Sequence, residues 1–462
     1  MLQPPFDIAA DLDTPVSAFR KLAAFGPVFL LESVEGGNRL ARYSFVGLGS
    51  ASVIELRDGV LKHNGETVAL ADSGPGLLAQ LRELMNGAPR LLPAVEGLPF
   101  CGGYVGLIGY DFVRRIEKVP TILADRAAEP EILQVAPRSM LVFDHLTRRV
   151  ALLHAGAEWE RQSLRREIIA ALRGPMPAPS VRSGHEPPKP SMTEAEFVAK
   201  VRTAQEHIAA GDVFQLVLAI RYSGECRTDP FEVYRALRLI NPSPYMFFID
   251  VLGVQLAGSS PEALVRYQSG VASLRPIAGT RARGATPEAD VANEAELLAD
   301  AKEGAEHVML VDLARNDLGR VAEPGTVGVS PFRSIERYSH VMHIVSGVSG
   351  RLRPEADAFD LLAATFPAGT VVGAPKVKAM ELIEKLEPVR RGFYAGTVGY
   401  FSKCGQMDQA IAIRTMCFAN GRVSYQAGAG IVEASKPEAE YAEIRSKVGV
   451  LESALRIAEA GL

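Results

Sequence analysis

The chain has 462 residues, 47% apolar and 23% charged, with a formal net charge of −4. That is enough apolar material for one large domain or two to three ordinary ones. Both charge signs are interspersed without a basic arm or stripe, which argues against nucleic acid; no apolar run is long enough to span a membrane, and MLQPPFDIAADLD lacks the features of a secretory signal. The expectation is a cytoplasmic protein. Cys101, Cys226, Cys404 and Cys417 are far apart in sequence and form neither a CxxC pair nor a zinc spacing.

Residues 1–175 read as an N-terminal α+β region. A short helix over 17–24 precedes a strand in FLLESVEGG that runs into a turn, then a strand in RYSFVGLG. SVIELRDGVLKHNGETVAL carries Asp58-Gly59 and Asn64-Gly65, both hairpin signals between alternating apolar residues. GLLAQLRELMNG is an amphipathic helix. In FCGGYVGLIGYD the missing side chains permit close backbone packing. A further hairpin pattern, APRSMLVFDHLTRRVALLHA, and a helix from Trp159 complete the region.

Proline-rich residues 176–192 form a linker or exposed loop. In the remaining region, 193–462, Thr193 and Glu196 are spaced as a capping box, with Phe197, Val201, Ala204 and Ile208 as the buried stripe behind them. Strands are expected in FQLVLAIRYS, YMFFIDV and VQLAGS, and over 394–402, 408–418 and 422–427, the last two joined at Asn420-Gly421. Strands follow one another without intervening helices, so the sheet is largely antiparallel and the class α+β.

DAKEGAEHVMLVDLARNDLGRV, residues 300–321, reads as a long helix with Val308, Leu310, Val311 and Leu313 for burial. Asp300, Glu303 and Glu306 recur every third residue, and Glu440, Glu443 and Lys447 share one face of a second helix. Two such helices around one cavity would offer an all-oxygen site suited to Mg²⁺. Spacing alone equally describes two solvated acidic faces. PIAGTRARG, FPAGTVVGAPK and YQAGAGIVE are glycine-rich loops that let backbone amides approach a ligand. Arg414, mid-strand among apolar neighbours, either holds a ligand carboxylate or closes a buried ion pair.

Taken together, FCGGYVGLIGYD, GDVFQLVLAIR, NPSPYMF, SSPEAL, PIAGTRARG, AEHVMLVDLARNDLGRV, HVMHIVSGV, FPAGTVVGAPKVKAMELI, FYAGTVGYF and QAGAGIV resemble, in order, the chorismate-utilising enzymes, most closely their anthranilate synthase component I branch. The resemblance covers nearly the whole chain. It implies a four-layer α/β/β/α sandwich of two largely antiparallel sheets, with the active site in the C-terminal part. It also implies conversion of chorismate and ammonia to anthranilate and pyruvate with Mg²⁺, the first step of tryptophan biosynthesis.

The resemblance also implies roles for matching positions. Glu306 and Glu443 would be Mg²⁺ ligands, with Glu303 and Glu440 acting through water. Lys447 and the amides around Ala427, Gly428 and Gly430 would face the ring carboxylate, and Arg414 and Tyr394 the enolpyruvyl carboxylate. His343, Thr370, Gly279 and Thr280 would line the ring. Glu262 is the candidate general acid for the departing hydroxyl and His343 the candidate proton carrier for loss of pyruvate. Gln215 stands where water-adding relatives carry a lysine, and cannot act as a base. Ala278 stands where aminodeoxychorismate synthases carry one, and Val372 replaces a usual serine. That last departure leaves open arrest at 2-amino-2-deoxyisochorismate or a non-catalytic amino-acid-sensing subunit; aminodeoxychorismate synthase component I is the other alternative within the family. Glu32, Ser33, Pro242, Met246, Val398 and Tyr400 match an inhibitory L-tryptophan site, or else simply pack the core. No cysteine sits in a glutaminase-type nucleophile turn, so a separate glutamine amidotransferase subunit is the expected partner.

Overall fold

The computed structural model describes residues 5–33, 42–123, 129–178, 184–337 and 341–462. The turn expected after Glu32 and part of the proline-rich linker lie outside these. Among the described residues the chain folds as an α+β protein dominated by one hydrogen-bonded network of 21 strands, with a second sheet of three, and every strand pairing is antiparallel.

Local signals set the hairpins. Asp58-Gly59, Asn64-Gly65 and Asn420-Gly421 each place both residues at positive φ, the geometry that a two-residue turn between twisted strands demands. Glycine lets strands meet at close quarters in Gly103–Ile108. A Cβ at Gly106 would lie 1.9 Å from the Leu133 carbonyl oxygen, and one at Gly103 would lie 2.1 Å from that of Phe401. That strand joins the N-terminal part to the C-terminal strand Thr397–Ser402, just as Pro27–Glu32 pairs with Tyr245–Val251. Buried side chains from both parts share one core. Thr193 and Glu196 form the capping box expected of them, opening the helix Glu194–Ala209.

Three expectations need correction. Asp300 belongs to no acidic face: it caps the helix Ala301–Gly319, its side chain accepting from the amides of Lys302 and Glu303. That helix buries Gly304, His307, Leu310, Val311, Ala314, Asp317 and Leu318, whereas Val308 is 43% exposed. The strand expected over 408–418 is two strands, Met407–Ile411 and Thr415–Ala419, broken where Arg414 takes φ 47°. The chain turns there because the first strand pairs with Ala263–Gln268 and the second with Val254–Ser260.

Among the described residues no helix is long and apolar enough to cross a membrane. The C-terminal helix Pro437–Ala460 lies on the strand Arg422–Ile431, and Ala301–Gly319 lies against Ile277–Ala282. This brings the two helices that carry the glutamates to one region.

Candidate active site

A cavity of about 600 Å³ opens between these elements, within the range of small-molecule sites. All three glycine-rich segments reach its wall: Ile277, Ala278, Gly279 and Thr280; Thr370 and Val371; Gln426, Ala427, Gly428 and Gly430. Only the middle segment is a loop, with a tight turn over Gly369–Val371; the first is the strand Ile277–Ala282, bulged at Gly279, and the last continues Arg422–Ile431.

Register explains why the last strand offers its backbone. Gly430 and Gly428 stand opposite Val217 and Ala219 of the strand Gln215–Glu225. The Val217 amide donates to the Val372 carbonyl and the Ala219 amide to Glu387, both away from the glycines. These are therefore non-hydrogen-bonded pairs, and the polar groups of Gly428 and Gly430 point outward. The Gly428 carbonyl accepts from Lys447 Nζ at 2.8 Å, and Lys447 also pairs with Glu443 at 2.7 Å. A Cβ at Gly428 would lie 2.8 Å from the Tyr394 hydroxyl and one at Gly430 2.7 Å from Gln215 Nε2, so a side chain at either position would displace one of these groups.

Eleven residues expected from the sequence as catalytic or substrate-binding line this cavity: His343, Thr370, Glu262, Tyr394, Arg414, Ala427, Gly428, Gly430, Lys447, Gly279 and Thr280. His343 Nδ1 lies 3.0 Å from the Gly279 carbonyl and 3.1 Å from Thr280 Oγ1. A carbonyl can only accept, so Nδ1 carries the proton and Nε2 holds the basic lone pair. Burial lowers the imidazole pKa, with Arg414 nearby adding to the effect, so the ring is neutral at physiological pH. Enclosure pushes Glu262 up to about 7, with Thr370 and Lys447 partly offsetting it. The buried Thr370 hydroxyl makes no well-formed hydrogen bond among the described residues. Arg414 reaches Asn241 Oδ1 at 3.3 Å, and its carbonyl accepts from the Ser259 amide. A non-glycine residue held at positive φ in a binding wall is a strained conformation that its surroundings must enforce.

The glutamates flank one side of the cavity. Glu443 is on its wall; Glu306 accepts from Gln215 Nε2 at 3.1 Å, and a Cβ at Gly279 would lie 3.2 Å from Glu303 Oε2. Glu306 is raised in pKa by burial and by the charges of Glu303 and Glu443; Glu440 is raised by burial and by Glu443. Four carboxylates thus repel one another around a common region. Among the described residues no three His, Cys, Asp or Glu side chains close into a ready-made metal cluster. Carboxylate oxygen is the donor type that Mg²⁺ takes, but these side chains are not gathered into a closed ligand set. Gln215 Oε1, buried beside Glu306, has no hydrogen-bond partner among the described residues.

Sequence reasoning missed Asn241, on the cavity wall and bonded to Arg414, and it assigned Pro242 to the other site although Pro242 lines this one. The NPSPYMF segment holding both was legible only as part of the tryptophan motif. Val372 is fully buried in the core, and it is Val371 that faces the cavity.

A second cavity of about 310 Å³ is lined by Glu32, Ser33, Met246, Val398 and Tyr400, with Pro244 common to both cavities. Glu32 is already engaged, by Tyr234 Oη at 2.6 Å and Arg238 Nε at 3.0 Å. Tyr400 packs on Phe100 with ring centroids 4.8 Å apart.

A family model described as chorismate binding enzyme matches residues 27–453. The chain belongs to the chorismate-binding enzymes. It is 46% identical to anthranilate synthase component 1 of Thermus thermophilus over 98% of this chain and 97% of that one. It is 43% identical to the protein of the same name from Mycobacterium tuberculosis, over 98% and 92%. The crystal structure of anthranilate synthase component I from Streptococcus pneumoniae superposes with TM-score 0.80 at 37% identity, covering 91% of this chain and 94% of that one. The menaquinone-specific isochorismate synthase of Escherichia coli shares the fold, with TM-score 0.71 at 21% identity over 96% and 92%. The four-layer α/β/β/α expectation agrees with these neighbours, the large antiparallel sheet curling as one network.

Proposed function

We propose that this chorismate-binding enzyme is the ammonia-using component of an anthranilate synthase, forming anthranilate, pyruvate and water from chorismate and ammonia. The observation that carries the reading is Gln215. It hydrogen-bonds Glu306 and, by the family resemblance, stands where water-adding relatives carry a lysine; an amide cannot deprotonate water. Ammonia is a nucleophile without such help. Ala278, lining the cavity, agrees with the same branch.

In this reading Lys447 and the outward amides of Gly428 and Gly430 hold the ring carboxylate, while Arg414, steadied by Asn241, and Tyr394 hold the enolpyruvyl carboxylate. Glu306 and Glu443 would hold Mg²⁺, Glu303 and Glu440 acting through water; the ion supplies Lewis acidity toward the ring carboxylate. Glu262, protonated near neutrality, gives its proton to the C4 hydroxyl as that leaves as water and nitrogen bonds to C2. His343, neutral and basic at Nε2, takes the C2 proton as the enolpyruvyl group is protonated and departs as pyruvate.

A separate glutamine amidotransferase would deliver the ammonia, and L-tryptophan would bind the second cavity as feedback inhibitor. The test mixes the pure chain with chorismate, Mg²⁺ and ammonium. Anthranilate fluorescence with equimolar pyruvate supports the reading, while an amino product without pyruvate, or turnover of glutamine by the chain alone, contradicts it.

A further inference from the structure

Outside both cavities, two cysteines distant in sequence meet at the end of a strand pair. Ser402 is paired with Gly103, the last pair of the ladder, and the Lys403 amide then donates to the Gly102 carbonyl at 2.7 Å. The chain turns there, the Gly405 amide donating to the Ser402 carbonyl at 2.9 Å, and Cys404 lies in that turn. Ser402 Oγ lies 3.0 Å from Cys404 Sγ and 3.5 Å from Cys101 Sγ, so the two sulfurs share one hydroxyl as neighbour. Cys404 is exposed and Cys101 half-buried, whereas Cys226 and Cys417 are buried.

We propose that Cys101 and Cys404 form a reversible redox modification site, closing to an intrachain disulfide when a peroxide reaches Cys404. Cys404 is the exposed sulfur, and its neighbours Cys101 and Ser402 lower its pKa, so it is the attacking sulfur. Its lone pair attacks one peroxide oxygen: the S–O bond forms, the O–O bond breaks and hydroxide leaves, taking up a proton to become water. Cys101 sulfur then attacks Cys404 sulfur, the S–S bond forms, and the sulfenic oxygen departs as a second water with the Cys101 proton. Two thiols are oxidised and one peroxide is reduced. A dithiol reverses the step by exchange. The disulfide would tie the turn after Thr397–Ser402 to residue 101, beside Pro99, Tyr400 and Gln406 on the wall of the second cavity.

The reduced full-length chain is treated with a slight excess of hydrogen peroxide, then denatured and alkylated with N-ethylmaleimide. Mass spectrometry should find two hydrogens lost, a Cys101–Cys404 linked peptide, and label on Cys226 and Cys417 alone; dithiothreitol should restore label at all four cysteines. Amide exchange across 401–407 should slow on oxidation. In Cys101→Ser, Cys404 should stop at a sulfenic acid trapped by dimedone. The proposal is overturned if Cys101 still takes full label while Cys404 is over-oxidised or linked to a second chain.

Discussion

Gln215 Nε2 donates to Glu306 Oε1 at 3.1 Å, joining a strand of the large sheet to the helix Ala301–Gly319. In the proposed enzyme this bond orients a metal-binding carboxylate whose pKa burial and its acidic neighbours raise and the Gln215 hydrogen bond lowers. Gln215→Leu should therefore weaken Mg²⁺ activation about 10- to 100-fold, the usual cost of losing a group that orients a ligand. Titration of ammonium-dependent activity with Mg²⁺ measures this.

The Glu262 carboxyl must be protonated to act as the acid, and enclosure places its pKa at about 7. With un-ionised ammonia held constant, kcat/KM should fall as pH rises through about 7. Glu262→Gln should lose about 10²- to 10⁴-fold in rate and also this limb of the profile. Stability carries the same sign. Because the folded-state pKa is raised above the ordinary 4.5, the folded chain binds this proton more tightly than the unfolded chain does. This contribution is full below about 4.5, declines as pH rises through about 7, and is absent from Glu262→Gln, as urea melts across that window would register.

Arg391 is 1% exposed, pairs with Glu387 at 2.6 Å and donates to the Val371 and Val217 carbonyls beneath the cavity. Its guanidinium also lies 5.6 Å from the centre of the Tyr394 ring. Arg391→Ala would leave Glu387 buried and uncompensated, at a cost of about 3–5 kcal/mol in chemical denaturation. A loss below about 1 kcal/mol would show that the pair is not the support described.

Ser33 Oγ is buried in the second cavity's wall and has no hydrogen-bond partner among the described residues. If L-tryptophan binds there, calorimetry on the wild-type chain should detect it. Ser33→Leu, adding bulk and removing the hydroxyl, should lower affinity at least about tenfold, or about 1.4 kcal/mol. No heat from the wild-type chain would remove the feedback reading while leaving the catalytic one intact.

Much of the strand content was readable because the turn residues report local chemistry. Asp58-Gly59, Asn64-Gly65 and Asn420-Gly421 carry their positive φ in their own residue types. Of the buried stripe of Ala301–Gly319, Leu310 and Val311 were readable, but Gly304, His307 and Asp317 were not, being polar or featureless positions that tertiary partners satisfy: His307 meets Ser346 at 2.6 Å, and Asp317 meets Lys376 at 2.6 Å. Arg414 looked like the middle of a strand because nothing local reveals that its neighbours pair with different partners on either side. The site residues emerged from motif resemblance, whereas Asn241 acts through a contact 173 positions away, which spacing does not encode.

The account rests on carboxylates from two helices acting through a divalent ion. The most direct test strips the chain of metal and follows anthranilate formation from chorismate and ammonium as Mg²⁺ is restored, in wild type and Glu306→Gln together. The account predicts no turnover without Mg²⁺, saturable recovery in wild type, and a requirement raised at least about tenfold in the variant. Equal rates in both proteins with a chelator present would contradict it.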